Sequence, residues 1–476
     1  MSWHGLFWLL WLWKVVVFGY FVTLNALYGG LLFLSLRWCQ RYRRSRSVNP
    51  LDFQNLEKLK NLVPPVTLIV PAYNEQRVIV QSVRSLLGMS YPRIEIVVVN
   101  DGSNDHTLEE MIRSFSLRLT EVRRAGDLPM QPVRGIYVSM IEPRLIVVDK
   151  QNGGKADALN AGINYSQSPY FLAIDADSVL EPEALTLALR AILEDPERVV
   201  AVGGVVRGVN GSIVDAGRVR RVTLRWNFWV VIQAVEYVRS FMAGRAGWSQ
   251  INGLLVVPGA FGLFQKAACI QAGGYSPETV AEDLELVVRL HRYAKEHRLP
   301  WRIIFAPDAV CWTELPATGR ALGRQRRRWH EGLWQTVARH LDVCFRSRYG
   351  VVGILSLPHQ VIHELGGPLV ELTSILLFPW LYLLGLVSAP ELMLYLVLAF
   401  FLGMLVSMAG ILIDQVYFPR YRFPRDVVLL LAYSLVENFG YRQFSLLWRL
   451  IATWNFFFGK IAWAVSTRTG FATRSE

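Results

Sequence analysis

Hydrophobic and polar positions divide the chain into three stretches of different rhythm. Residues 3–38 are almost uninterruptedly apolar. That run is too long for a signal-peptide core and lacks a small-residue cleavage pattern, so it is expected to stay as an anchor. The Trp-rich part, 3–14, is expected to lie at the membrane interface. Residues 15–36 are expected to span, because about 20 apolar residues cross a bilayer. The basic cluster 37–46 then places the next part of the chain in the cytosol, and a Pro-containing linker, 49–65, leads away from the membrane.

From 66 to 308 short β-branched runs alternate with helical stretches, which predicts an α/β domain with a mostly parallel sheet. Strands are expected at 66–70, 94–100, 145–149 and 170–174, with a helix at 76–87. The segment 114–142 has little periodicity and reads as an insertion. After 346 the chain is apolar again, with spans expected near 370–387 and 392–413. Residues 426–463 are apolar yet carry Glu437, Arg442 and Arg449, so a short hairpin and interfacial helices both remain open. Three spans are expected, with two more left open. The layout is an anchor (1–46), a cytosolic domain (47–346) and a second membrane part (347–476).

Composition supports an embedded portion: 52% of residues are hydrophobic and the mean hydropathy is +0.28. A net charge of +12 admits nucleic acid. The basic residues nevertheless crowd beside apolar runs, as at Arg41, Arg43, Arg44 and Arg46 and again at Arg420, Arg422 and Arg425. That placement reads as contact with membrane lipids, not with nucleic acid. Cys39, Cys269, Cys311 and Cys344 lack the spacing of a zinc site or disulfide framework and are expected to be reduced.

Polar residues capable of chemistry collect where strands are expected to end. The run Tyr170-Phe-Leu-Ala-Ile-Asp-Ala-Asp-Ser178 ends in Asp175 and Asp177, at the edge where open α/β sheets bind ligands. Hard carboxylate oxygens there suit Mg²⁺ or Mn²⁺ carrying a diphosphate, although an isolated Asp-x-Asp is common in loops. Tyr73 and Glu75 follow the first strand and Asp101 the second. Together these turns have the groups to hold a base and ribose, or are ordinary Asn/Asp/Gly turns. Gly153, Gly154 and Lys155 open a helix, which favours an anion but lacks Walker spacing. Glu282 and Asp283 begin another helix, either as macrodipole partners or with Asp283 as general base. In Arg324-Gln-Arg-Arg-Arg-Trp329, lipid contact competes with a second reading. There Gln325 supplies an amide, Arg328 a diphosphate clamp and Trp329 a sugar platform. His359 and His363 have no evident third metal ligand. Glu364 and Glu371 share a helical face, as lining of a glycan path or as a helix contact.

In this order the motifs resemble the membrane-bound family 2 glycosyltransferases, which include the cellulose, hyaluronan, chitin and poly-N-acetylglucosamine synthases. The resemblance covers about residues 66–332 and implies a GT-A α/β domain inserted between transmembrane helices. By position it implies that Tyr73, Glu75, Asp101 and Lys155 contact a uridine nucleotide. Asp175 and Asp177 become the donor and metal pair, and Asp283, beside Glu282, the base. Gln325, Arg328 and Trp329 would close over the diphosphate and the acceptor end. The implied reaction is inverting, uses Mg²⁺ or Mn²⁺, and takes a UDP-sugar donor and a growing glycan or lipid-linked acceptor. A multi-pass protein of the cell inner membrane, with room for an export partner, is also implied. Ala281 replaces the family's frequent Thr. The cyclic-nucleotide-binding barrel and gating loop of bacterial cellulose synthases are missing, which makes the layout closer to the poly-N-acetylglucosamine type. Alternatives are a single-addition transferase acting on a polyprenyl phosphate or glycolipid, and a non-catalytic membrane scaffold.

Overall fold

The computed structural model describes residues 3–48, 63–215 and 218–459. The first apolar stretch is one helix, α1 (Trp3–Val48), of 46 residues. It contains no proline, and at 1.5 Å per residue it is about 69 Å long. The expected interfacial segment 3–14 is therefore not a separate element, since nothing bends the chain at Lys14. That lysine is held within the helical layer by Glu391, at 2.7 Å.

The domain after it alternates as its β-branched runs predict. Its first half comprises β1 (Val66–Ala72), α2 (Ile79–Leu87), β2 (Ile94–Asp101), α3 (Thr107–Phe115), β3 (Leu117–Thr120), β4 (Val133–Ser139), β5 (Leu145–Lys150), α4 (Lys155–Tyr165) and β6 (Tyr170–Ala173). The second half runs β7 (Val179–Leu180), α5 (Ala184–Leu193), β8 (Val199–Gly208), β9 (Ile213–Asp215), β10 (Arg218–Arg221), α6 (Phe228–Arg239), α7 (Ala246–Gln250), β11 (Gly262–Gln265), α8 (Lys266–Gln271), α9 (Glu282–Glu296), β12 (Arg302–Thr313) and α10 (Gly319–Arg339). A ten-stranded mixed sheet takes the order β3-β4-β5-β2-β1-β6-β11-β8-β12-β7. Strands β5, β2, β1 and β6 are parallel, with Val66 beside both Ile94 and Tyr170. Both faces of β1, β2 and β8 are covered, which is why these strands read as continuous apolar runs. The consequence for function is geometric: the loops after β1, β2, β5 and β6 open on one edge.

Segment 114–142 is not an insertion outside the sheet. Its β3 and β4 pair with each other, and β4 pairs antiparallel with β5. Edge position explains the weak pattern, because Arg118, Leu119 and Thr120 are all exposed.

Helix α6 continues through a π-helical turn, Ser240–Arg245, into α7. This rod lies against α1, where Ser35 donates to the Met242 carbonyl and a Cβ on Gly247 would fall 2.4 Å from the Leu31 oxygen. Beyond α10, the turns Val352–Ser356 and Gln360–Leu365 flank α11 (Leu357–His359) and bend by 42° into α12 (Gly367–Leu383). Helices α13 (Ala389–Leu396) and α14 (Leu402–Tyr417) join into one 29-residue apolar helix. The last two helices, α15 (Pro424–Val436) and α16 (Arg442–Phe458), are separated where Phe439 and Gly440 leave helical geometry. Among the described residues two helices are long and apolar enough to span, or three if the bent pair counts as one.

Several charged side chains within this helical layer are paired. Glu371 accepts from Arg442 at 2.7 and 2.8 Å and from the Tyr20 hydroxyl at 2.7 Å. Glu364 pairs with Arg449 at 2.8 Å, Glu437 with Arg239 at 2.8 Å, and Asp414 with Arg207 at 2.5 Å. The Glu364–Glu371 face is therefore a helix contact held by ion pairs. His359 and His363 face each other at 3.2 Å, and no group of three metal-ligating side chains occurs among the described residues.

Candidate active site

The loops after β1 and β2 are sewn together by short polar side chains. Asn74, at φ 58°, donates its backbone N–H to Ser103 Oγ at 3.0 Å and accepts from the Asn104 N–H at 2.8 Å. The Glu75 N–H donates to Thr107 Oγ1 at 2.9 Å, and Asn104 Nδ2 reaches the Tyr73 hydroxyl at 3.4 Å. Tyr73 and Glu75 thus stand half-buried on one rim. Gly102 lets the next loop close in: its φ is +68°, and a Cβ there would fall 2.7 Å from the Asn152 nitrogen.

Asp101 takes a different place from the nucleotide contact expected of it. It is 3% exposed and accepts from Lys150 Nζ at 2.5 Å, the Gly153 N–H at 3.0 Å and the Gly154 N–H at 2.8 Å. Lys150 is itself fully buried and also pairs with Asp157 at 2.5 Å. The anion at the start of α4 is the protein's own carboxylate, which fixes the glycine turn that aims Lys155. Lys150 is a positioning residue that the sequence pattern hides, since it merely ends an apolar strand.

Lys155 is the hub of the site. Its ammonium lies 2.7 Å from Asp175 Oδ1 and 3.2 Å from Glu282 Oε1. Burial pulls its pKa down, yet the charges of Asp175, Glu282 and Asp283 outweigh burial and hold it above the usual lysine range. Asp283 accepts from the Gly259 N–H at 3.0 Å and the Leu284 N–H at 2.8 Å. Burial first, then the neighbouring Glu282, raise its pKa to about 6, against the opposing pull of Lys155. Gly259 is needed small, because a Cβ would sit 3.1 Å from Lys155 Nζ and 3.3 Å from Asp283 Oδ2. Asp175 and Asp177 occupy the turn after β6, where the Ser178 N–H closes on the Asp175 carbonyl at 3.0 Å. Both charges reach Cys311 on β12, whose thiol pKa is raised by burial first, against a hydrogen bond with Ser178, with these carboxylates adding to the rise. Strand ends and the start of α9 thereby bring Lys155, Asp175, Asp177, Glu282 and Asp283 into one neighbourhood.

Helix α10 braces that neighbourhood. A Cβ on Gly332 would fall 2.4 Å from the Ala281 Cβ, so the alanine at this position suits the close approach. Gln335 Oε1 accepts from the Val280 N–H at 2.9 Å, fixing the start of α9. On the same helix Gln325, Arg328 and Trp329 share a face. Arg328 is exposed, and no ion pair joins it to the Lys155 cluster among the described residues. Trp329 is 40% exposed, stacks on Tyr237 at 6.5 Å and lies under Arg326, 4.4 Å from the ring centre. Gln325 Oε1 is buried without a partner. So is Arg245 Nη1, on the π-turn opposite. Burial lowers the Arg245 pKa to about 10, with Asp283 opposing the shift. Arg245 went unnoticed in the sequence, although a lone charge inside the apolar stretch 241–257 is its signal.

An acidic pair at the end of a parallel strand, a lysine at a helix start and a carboxylate opening a later helix stand together at the loop edge of a GT-A-type sheet. The first part of the chain matches the family described as "Glycosyl transferase family 2" over residues 67–126, and residues 170–412 match "Glycosyl transferase family group 2". The chain belongs to glycosyltransferase family 2.

Curated relatives agree. The chain is 25% identical over 286 residues to poly-beta-1,6-N-acetyl-D-glucosamine synthase of Staphylococcus aureus (strain COL), covering 60% of this chain and 58% of that protein. It is 26% identical over 334 residues to the probable glycosyltransferase YdaM of Bacillus subtilis (strain 168), covering 69% of each. The chain thus matches little more than half the length of the staphylococcal synthase. Among solved structures, the mannosyltransferase PcManGT of Pyrobaculum calidifontis, in complex with GDP-Man and Mn²⁺, aligns with TM-score 0.50 and 18% identity. That alignment covers 94% of this chain and 100% of the mannosyltransferase. This likeness is one of fold.

Proposed function

We propose that the protein is an inverting, metal-dependent transferase that uses a UDP-sugar to extend a β-linked polysaccharide. Its helices would pass the product across the membrane in which they sit, with the catalytic domain on the cytosolic side. The carrying observation is the Lys155 hub, where one cation meets three carboxylates and Asp283 is held near neutral pH. Similarity to the poly-N-acetylglucosamine synthase favours a polymerising enzyme, and the helices flanking the domain supply a membrane part.

Asp175 and Asp177 fit a divalent ion. They are hard oxygen donors, their region carries excess negative charge, and Mg²⁺ or Mn²⁺ commonly takes one or two carboxylates and completes its shell with phosphate oxygens and water. When bound, such an ion would neutralise the departing diphosphate. The chain's own residues would do the rest. Tyr73 and Glu75 offer a rim to the nucleotide, with Asp101 fastening the loop behind it. Lys155, Gln325 and Arg328 supply cationic and amide groups to the diphosphate. Asp283, with Glu282 beside it holding its pKa up, takes the proton of an acceptor hydroxyl. That oxygen then bonds to the anomeric carbon while the carbon–diphosphate bond breaks and its electron pair leaves with UDP. Trp329 gives the acceptor sugar an aromatic face.

Detergent-purified protein should release UDP from one of UDP-glucose, UDP-N-acetylglucosamine, UDP-galactose or UDP-glucuronate, stop when EDTA is added, and make long chains on a sizing gel. Turnover only with an added lipid acceptor, giving one sugar, would mean single addition. No turnover of any donor would leave a non-catalytic scaffold.

A further inference from the structure

The small sheet β9–β10 stands apart from the ten-stranded sheet, and the transfer above gives it no task. Its inner side chains are structural. Val214 and Leu224 are buried in the same apolar core as Phe418, Tyr421 and Leu430, which joins the hairpin to the connection between α14 and α15. Its outer side is basic. Arg218 donates to the Gly88 carbonyl at 3.0 Å and Arg220 pairs with Asp215 at 3.3 Å. Arg221 and Arg225, and Arg422 on the connection, are exposed and form no ion pair among the described residues. Arg425, 3.5 Å from Asp426, is exposed as well. Arg221 and Arg425 approach the Phe423 ring centre to 4.8 and 5.8 Å, so like charges from the hairpin and the connection meet on one ring. A cluster of cations with few acidic neighbours attracts anions.

The neighbouring helices say which anion. Exposed Leu405, Leu412 and Val416 form one stripe along α14, and exposed Val428, Ala432 and Leu435 form another along α15. Both stripes are apolar, and Arg422 and Arg425 fall in the gap between them. The arginines therefore stand at the border of the surface suited to hydrocarbon, which is the level of lipid phosphates. Trp226, at the foot of the hairpin, is 82% exposed, and Phe228 beyond it is exposed and packs on Tyr433 of α15 at 5.8 Å. Tryptophan of this kind belongs in the membrane interface. The apolar stripes on either side favour lipid over nucleic acid.

We infer that the β9–β10 hairpin and the connection between α14 and α15 form a docking surface for anionic phospholipid headgroups. Arg221, Arg225, Arg422 and Arg425 donate to phosphate oxygens, and Trp226 sits among the headgroups. The inference rests on the membrane placement proposed above and is independent of the sugar chemistry. It gives the transferase domain a hold on the bilayer besides its helices.

The test uses the full chain in phosphatidylcholine nanodiscs, with a donor fluorophore on Ile213→Cys, which lies opposite Arg221. The four native cysteines are buried and should escape labelling. Energy transfer to acceptor-labelled phosphatidylglycerol is compared with transfer to acceptor-labelled phosphatidylcholine. The protein with all four arginines is expected to favour phosphatidylglycerol about fivefold, the equivalent of about 1 kcal/mol for a basic residue near an anionic surface. With Arg221→Gln, Arg225→Gln, Arg422→Gln and Arg425→Gln together it should favour neither lipid, whereas lysine at the same four positions should keep most of the preference. Should the combined glutamine variant not fold, Arg221→Gln and Arg422→Gln singly should each lower the preference. Equal transfer to both lipids with the arginines in place, or a preference that survives the glutamine changes, would overturn the inference. So would a larger response of the fluorophore to an added oligonucleotide than to phosphatidylglycerol, which would make this a surface for soluble polyanions. Protein that stays monodisperse without detergent or lipid would sink the membrane placement, and the docking surface with it, while the transferase reading is tested separately by UDP release.

Discussion

Two groups of buried ions, one at the sheet edge and one in the helical layer, are balanced differently. In the helical layer four carboxylates each pair with a separate arginine: Glu371 with Arg442, Glu364 with Arg449, Glu437 with Arg239, Asp414 with Arg207. At the sheet edge Lys155 pairs with both Asp175 and Glu282 and feels Asp283 as well. One-to-one pairs satisfy themselves and hold helices in register. An unbalanced cluster of this kind, with the Asp283 pKa raised to about 6, suits the chemistry on a diphosphate proposed above. The difference separates residues that keep the fold from residues to which the proposed transfer is assigned.

If the contrast holds, substitutions in the two clusters should fail in different ways. The largest effect is expected from Asp283→Asn, which removes the base and should lower UDP release by about 10³-fold, with unfolding temperature and UDP binding nearly unchanged. Next is Arg442→Ala, which strands Glu371 and should destabilise the protein by about 3 kcal/mol. Thermal unfolding in detergent would show it, while turnover per folded molecule stays close to wild type. Equal turnover loss in both variants would erase the distinction. The smallest effect is a shift. Because Asp283 must be ionised to accept a proton, kcat/KM should rise with pH through an acid limb near 6. Glu282→Gln removes a like charge and should move that limb to lower pH, whereas Lys155→Met removes an opposite charge and should move it higher. Limbs moving in the opposite directions would contradict the electrostatic arrangement.

Much of this was legible along the chain. Strands β1, β2, β5 and β6 are buried on both faces and therefore appear as apolar runs. Asp175, Asp177, Glu282 and Asp283 stand where such a run ends or a helix begins. What stayed hidden depends on partners distant in sequence. Strand β3 lies at the sheet edge and β4 next to it, where side chains that are exposed or half-buried dilute the pattern. Asp101 looked like a ligand contact because neither Lys150 nor the Gly153 and Gly154 amides announce that they will converge on it. The pairing of Glu371 with Arg442 joins residues in helices that no local rule brings together.

The most direct test of the unbalanced cluster is calorimetric titration of UDP into the full-length protein with and without Mn²⁺. Binding should require the ion in the wild type, persist in Asp283→Asn, and vanish in Asp177→Asn. Equal UDP affinity with and without Mn²⁺ would contradict the assignment of Asp175 and Asp177 and remove the reason for their excess charge.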